Sequence, residues 1–273
     1  MPPVICMVGL PGAGKTYHLA ALARQMPDAR ISLDAADPGA AIDAARLANL
    51  GRQVRISDAI LPRTPADRPV LAECAAQRPV DFGDRATVLA VADCVNLPAL
   101  DPEGTLGRLA AHHFSAARAI VLSRADLGDP DRTKGWVSAV SNAPITSELP
   151  DLASLAALPP RPRPAQLVPP PPQPFAFWSF DSAVTLTADL VERLLKDRPP
   201  GVMRLKGVVR IRGGGMGVDV AGRTRETRQI AGPATTMLAA LGSTDGFSGQ
   251  KLDLHVADIA AASAWSAGIF GYR

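Results

Sequence analysis

The residues with the clearest chemistry are Gly9 to Thr16, which read GLPGAGKT. They follow the apolar run Val4-Ile5-Cys6-Met7-Val8 and precede a helical pattern from Tyr17 to Arg24. Strand, G-x-x-x-x-G-K-[ST] turn and helix in that order are the context a phosphate-binding loop requires. Glycines let successive backbone N–H groups turn inward around phosphate oxygens. The helix that follows aims its positive dipole end at the same oxygens. Lys15 adds a point charge at the β- and γ-phosphates, and Thr16 offers a hydroxyl to Mg²⁺. The expected nucleotide-binding set on this loop is Gly9, Pro11, Gly12, Ala13, Gly14, Lys15, Thr16 and Tyr17.

A phosphate loop needs acidic partners at neighbouring strand ends, to hold Mg²⁺ and to orient water. Three apolar runs end in carboxylates. Arg30-Ile31-Ser32-Leu33 leads to Asp34 and Asp37, Val70-Leu71-Ala72 to Glu73, and Leu89-Ala90-Val91-Ala92 to Asp93. A fourth apolar run, Ala119 to Leu122, leads into Ser123-Arg124-Ala125-Asp126. In GTPases the corresponding turn reads N/T-K-x-D, and its Asp accepts from the guanine N1–H and exocyclic amine. Adenine has no donor at N1, so a carboxylate at that place discriminates. Asp126 stands there, with Arg124 in the place of the Lys that lies over the base and Ser123 as a shorter stand-in for Asn.

The elements that must position these groups alternate along the first half of the chain. Strands are expected at Val4–Val8, Arg30–Leu33, Pro69–Glu73, Thr87–Ala92, Arg118–Leu122 and Ala143–Thr146. Helices are expected at Lys15–Arg24, Ala40–Leu50, Glu103–His113 and Asp131–Ser141. Alternation of this kind builds an α/β domain, a P-loop NTPase parallel sheet with helices on both faces, whose ligands sit beyond the carboxyl ends of the strands. Pro159 to Pro174 then carries nine prolines, which forbid helix and ladder pairing and extend as a stiff polyproline II spacer. Its P-x-x-P spacing also fits an SH3-type ligand. After it come a strand at Phe175–Phe180, a helix at Thr187–Lys196, and strands near Val202–Ile211, Gly217–Val220, Arg225–Ile230 and Ala234–Leu241. The expected organisation is a nucleotide domain at 1–157, a linker at 158–174 and a smaller α+β domain at 175–273.

Composition bounds the rest. A chain of 273 residues with 47% apolar content fits a globular protein of about two domains. The first apolar stretch is broken by Pro11, glycines and Lys15, and no later stretch reads as a membrane span. Cys6, Cys74 and Cys94 form no C-x-x-C pair, which points to the cytoplasm. A net charge of +3 does not by itself imply nucleic acid. Charge is nevertheless uneven: Arg193 to Arg228 holds ten Lys/Arg against Asp197, Asp219 and Glu226. That stretch reads either as a basic face for an anionic partner or as a solvated β surface with scattered arginines.

With these residues in hand, the chain resembles the CobW-type metallochaperone GTPases, relatives of the UreG and HypB proteins. GLPGAGKT matches the family's P-loop. DAADPGAAID, from Asp34 to Asp43, sits where the family has its N-E-F-G-x-x-x-x-D switch segment. VLAEC is similar to the strand ending in E-x-x-G, TVLAVADCVN to the strand after it, SRAD to N-K-x-D, and SNAPI to the N-P-x-A segment that follows. FAFWSF, GVMRLKGVVRI with its R-x-K-G pattern, and GPATTMLAALG resemble the C-terminal domain. The chain departs from the family in two places. Ala44 to Pro69 has no cysteine where the family carries C-x-C-C, and Glu73 is followed by Cys-Ala-Ala where the family has a glycine. Cys74 reads as a soft metal ligand or as a buried structural thiol.

The resemblance implies GTP/GDP and Mg²⁺ as cofactors, slow GTP hydrolysis, and a client protein linked to metal or cobalamin homeostasis, with zinc or cobalt left open. It casts Lys15, Glu73 and Asp37 as catalytic, Thr16, Asp37 and Glu73 as Mg²⁺ ligands, and Ser123, Arg124 and Asp126 as base readers. Two other classes stay open: a nucleotide-dependent binding module with little or no hydrolysis that engages a partner through its basic C-terminal domain, and a small-molecule kinase or ATPase.

Overall fold

The protein is described here from a computed structural model covering residues 3–37, 39–48, 51–58, 67–75, 86–157, 175–233, 235–244 and 246–266. Its chain divides into two compact units, Met1–Pro174 and Phe175–Arg273. The proline-rich linker expected at 158–174 lies outside the described residues, as does Ala76, the third residue after Glu73.

The first unit holds a parallel sheet of strands β1 (Val4–Val8), β2 (Arg30–Asp34), β3 (Val54–Ser57), β4 (Val70–Glu73), β5 (Thr87–Asp93), β6 (Ala119–Ser123) and β7 (Ile145–Thr146). Their order across the sheet is β3-β2-β4-β1-β5-β6-β7, every pair parallel. Helices α1 (Lys15–Gln25), α2 (Ala40–Ala48), α3 (Thr105–Ala116), α4 (Pro130–Ser138) and α5 (Leu152–Ala157) complete it. Successive strand residues face opposite sides of the sheet. Ile5 and Met7 of β1 therefore pack with Leu19, Leu22 and Leu47. Cys6 and Val8 pack with Phe114, Leu97 and Val137. Burial on both faces explains why the central strands read as unbroken apolar runs. This is the P-loop NTPase fold, with β1 in the middle and the loop after it at the carboxyl edge of the sheet.

The second unit is an antiparallel sheet, in the order β11-β10-β9-β12-β8, with two helices. Its elements are β8 (Phe175–Ser182), α6 (Ala188–Lys196), β9 (Val202–Ile211), β10 (Gly214–Ala221), β11 (Thr224–Ile230), β12 (Thr236–Ser243) and α7 (Gly249–Ser266). Two-residue turns join β9 to β10 and β10 to β11, and Gly213 (φ +80) and Gly222 (φ +55) supply the positive φ that such turns demand. Thr187 caps α6 by accepting from the Leu190 amide. Trp178, Leu194, Leu205, Val218 and Leu252 share one core. Trp178 also donates its indole N–H to Asp253 at 2.7 Å.

Several elements differ from expectation. Strand β3 was not expected; it is a four-residue strand at the sheet edge, with Arg55 and Ile56 exposed. Helix α3 starts at Thr105 rather than Glu103, because the Asp101 carboxylate accepts from the Glu103 amide and its carbonyl from Gly104, forming a turn there. The expected helix Asp131–Ser141 starts and ends earlier, with Pro130 at its first position and Asp129 as its cap. Helix α7, 18 residues long, was also missed, although Leu252, Val256 and Ile259 lie one turn apart and are buried. The basic stretch is not one solvated face. Lys206 is buried, Arg204 pairs with Asp219 at 3.0 Å, and Arg198 donates to the Leu195 and Gly222 carbonyls. No helix among the described residues is long and apolar enough to cross a membrane.

Candidate nucleotide site

The loop between β1 and α1 is cornered by three glycines with positive φ: Gly9 at +146°, Gly12 at +78° and Gly14 at +98°. Two of them also allow close approach. A β-carbon on Gly9 would lie 2.8 Å from the Val91 carbonyl oxygen of β5, and one on Gly14 would lie 2.7 Å from Ser123 Oγ at the end of β6. Gly14 is the N-cap residue of α1 and has no side chain to occupy the free amides of the first turn. Gly14→Ala therefore combines left-handed strain with a clash. It should lower the melting point by an amount equivalent to roughly 1–3 kcal/mol and should weaken nucleotide binding. A wild-type melting curve and wild-type affinity would overturn this account of the loop.

Lys15 is folded back onto the loop. Its Nζ donates to the Gly9 carbonyl at 3.2 Å and the Leu10 carbonyl at 3.3 Å, and only 5% of the residue is exposed. The ammonium thus sits inside the loop it would share with phosphate. Ala13 and Gly12 are buried, Thr16 and Pro11 are half-buried, and Tyr17 stands out in solvent.

The S-R-A-D turn reaches the same loop, in a way the sequence did not suggest. Arg124 adopts φ +55, the one non-glycine with positive φ among the described residues, a conformation that costs about 1 kcal/mol. Its guanidinium pairs with the Asp93 carboxylate at 3.0 Å and donates to the Gly12 carbonyl. Asp93 is held in turn by the Val95 amide and by the Asn96 side chain at 2.6 Å. These contacts tie the end of β6 to the end of β5 and to the loop after β1. Asp126 is exposed in the turn after β6, and Ser123 is buried beside Gly14.

Strands β2 and β4 are neighbours, with Leu33 opposite Glu73, so their carboxyl ends deliver acidic groups to one place. Asp37, Asp43 and Glu73 each present a carboxylate oxygen within 4.8 Å of the others, and Asp43 and Glu73 are buried. The sequence reading named Asp37 and Glu73. Asp43, in the first turn of α2, was noted only as the end of the DAADPGAAID segment. Asp34 plays another part: its carboxylate accepts from the Ala36 and Ala75 amides, both at 3.0 Å, and so clamps β2 to the segment after β4.

Cys74 follows Glu73 and lies 2.7 Å, sulfur to sulfur, from Cys6 of β1. Both thiols are buried. Burial first, and the neighbouring Cys74 next, push the Cys6 thiol well above its ordinary range, which keeps it protonated. His18, on the first turn of α1, is 7% exposed, and burial lowers its pKa to about 4. The imidazole is therefore neutral at neutral pH, and its Nε2 has no hydrogen-bond partner among the described residues.

No protein-family model matches this chain, and no curated protein matches it. Among solved structures, the chain is similar to the Zn(II)-bound YjiA GTPase from E. coli at 16% identity and a TM-score of 0.36, over 95% of this chain and 99% of that one. It is similar to HypB from Helicobacter pylori in complex with nickel at 18% identity and a TM-score of 0.35, over 53% of this chain and 77% of that one. It is also similar to the signal recognition particle receptor FtsY from Elizabethkingia anophelis in complex with GDP, at 19% identity and a TM-score of 0.34, over 53% of this chain and 56% of that one.

Proposed function

We propose that this protein is a CobW-like, guanine-nucleotide-binding P-loop protein of the cytoplasm that hydrolyses GTP slowly with Mg²⁺, in the service of a client protein linked to metal or cobalamin homeostasis. The observation that carries the reading is the convergence of a glycine-cornered phosphate loop, a buried lysine and three clustered carboxylates at one sheet edge. Lys15 would leave the Gly9 and Leu10 carbonyls for the β- and γ-phosphates, while the loop amides hold the remaining oxygens. Hard oxygen donors suit Mg²⁺, and Thr16, Asp37, Asp43 and Glu73 are the residues that would hold it. When bound, the ion neutralises phosphate charge. Glu73 or Asp37 would orient the attacking water. Asp126 would read the base, while Arg124 would fix the base turn to the loop.

A second reading, a nucleotide-dependent binding module without useful turnover that engages a partner through its basic C-terminal domain, is favoured by Glu73-Cys74-Ala75-Ala76 standing where E-x-x-G carries its glycine. Calorimetric titration with GTP, GDP and ATP, each with and without Mg²⁺, together with a phosphate-release assay, tests the proposal. Tight, Mg²⁺-dependent GTP binding with slow release of phosphate is expected. Binding without release would promote the module, and an ATP preference would promote a kinase or ATPase.

Soft-metal binding should be weak without nucleotide. Zinc sites need several thiolate or imidazole ligands in one place, and here the Cys6 thiol of the close pair is held protonated. One tightly held zinc per purified chain, by elemental analysis, would overturn this.

A further inference from the structure

Asp34 ends β2 and is 1% exposed. Its two carboxylate oxygens serve two different segments. Oδ1 accepts the Ala36 amide at 3.0 Å, one residue before Asp37. Oδ2 accepts the Ala75 amide at 3.0 Å, two residues after Glu73. The second bond replaces a rung of the sheet. Amides along a parallel strand alternate between its two neighbours. The Cys74 amide donates to the Met7 carbonyl of β1, so the Ala75 amide turns toward β2. There the Asp34 carbonyl accepts the Asp37 amide at 3.0 Å, and the side chain of the same residue takes Ala75. A carboxylate buried this deeply is stable only with such partners, and charge-assisted bonds of this kind are strong.

The two segments joined in this way carry the acidic cluster. Asp37 follows Ala36, and its Oδ1 is fixed by the Gly39 amide at 2.8 Å, at the entry to the helix that holds Asp43. Glu73 closes the strand that leads to Ala75. We propose that Asp34 is a positioning residue for the cation: it sets Asp37 and Glu73, which come from two separate strands, at one spacing before the ion arrives. Both of its oxygens are committed to amides, so it acts through the neighbouring carboxylates, as residues that orient metal ligands do. The inference rests on the proposed Mg²⁺ site and adds to it a residue outside the ligand set.

The test compares wild type, Asp34→Asn and Asp34→Ala. It uses calorimetric titration with a non-hydrolysable GTP analogue, in Mg²⁺ and in EDTA, and hydrogen exchange at the Ala75 amide. Asparagine keeps a carbonyl oxygen for the local turn to Ala36, but its amine is a donor and cannot accept the second N–H. It therefore cuts the tie between the segments and leaves the turn. In both variants the gain in affinity from Mg²⁺ should fall about tenfold or more, while affinity in EDTA stays within about threefold of wild type. Ala75 should exchange faster in both. A wild-type Mg²⁺ gain in Asp34→Asn overturns the inference, because the local turn alone then suffices. A reduced gain with unchanged exchange at Ala75 marks a charge effect and overturns it too. Equal weakening in Mg²⁺ and EDTA does the same, since it marks a general loss of structure. If Asp34→Ala does not fold, Asp34→Asn decides alone. Wild-type binding that gains nothing from Mg²⁺ would sink the cation site itself, a result distinguishable from failure of Asp34.

Discussion

Lys15→Ala should abolish tight GTP binding. Hydrogen bonds from an ammonium to charged phosphate oxygens contribute about 1.5–3 kcal/mol each. Losing the lysine at the β- and γ-phosphates should therefore weaken affinity by roughly a hundredfold or more. Diphosphate binding should suffer less, since the γ-phosphate contact is absent there from the start. A surface charge could be removed without affecting the fold, but Lys15 is buried and donates to the Gly9 and Leu10 carbonyls. Those bonds are lost too, so the variant should also melt earlier, by the equivalent of about 1–2 kcal/mol. Titration of wild type and variant with GTP and GDP, with parallel thermal melts, checks both effects. A GTP affinity within threefold of wild type would show that the loop does not hold phosphate.

Asp126→Asn should cost roughly 2–4 kcal/mol of guanine affinity, from a lost charge-assisted pair and mispaired donors. ATP binding should change little. Asp126 is exposed, so the substitution leaves the fold intact. A gain of function adds a further check. Xanthine carries a carbonyl where guanine has its 2-amine, and an asparagine amide donates where a carboxylate only accepts. The variant should therefore bind xanthosine triphosphate better than wild type does. Equal loss for every nucleotide in competition titrations would remove Asp126 from the base site.

The parts of this site that depend on neighbours in sequence could be read directly. Gly9, Gly12, Gly14, Lys15 and Thr16 form a local pattern, and the strand before it and helix after it carry their own periodicities. Contacts made across the sheet could not be read. Asp43 meets Glu73 because β2 and β4 are adjacent, a pairing set by strand order that leaves no mark on either segment. Cys6 and Cys74 meet across the β1–β4 pair for the same reason, 68 residues apart. Arg124 was expected over a base on the analogy of a lysine. Its longer, forked side chain found Asp93 and Gly12, neither of which is near it in the chain. Strand β3 escaped notice because it is only four residues long, although Val54-Arg55-Ile56-Ser57 alternates apolar and polar. Helix α7 escaped notice for a different reason: its apolar residues have helical spacing, but a run of alanines after Ile259 blurs the stripe.

The outer strand β11 has a consequence for how the protein behaves at high concentration. An unpaired sheet border offers a ladder of free amides and carbonyls to any extended chain. Among the described residues that border is β11, which reads Thr-Arg-Glu-Thr-Arg-Gln-Ile and is exposed along its middle five residues. A second molecule adding a strand there would have to bring Arg225, Glu226 and Arg228 against its own copies of them or strip them of water. The stretch that looks in sequence like bait for an anionic ligand thus also works as a guard against polymerisation.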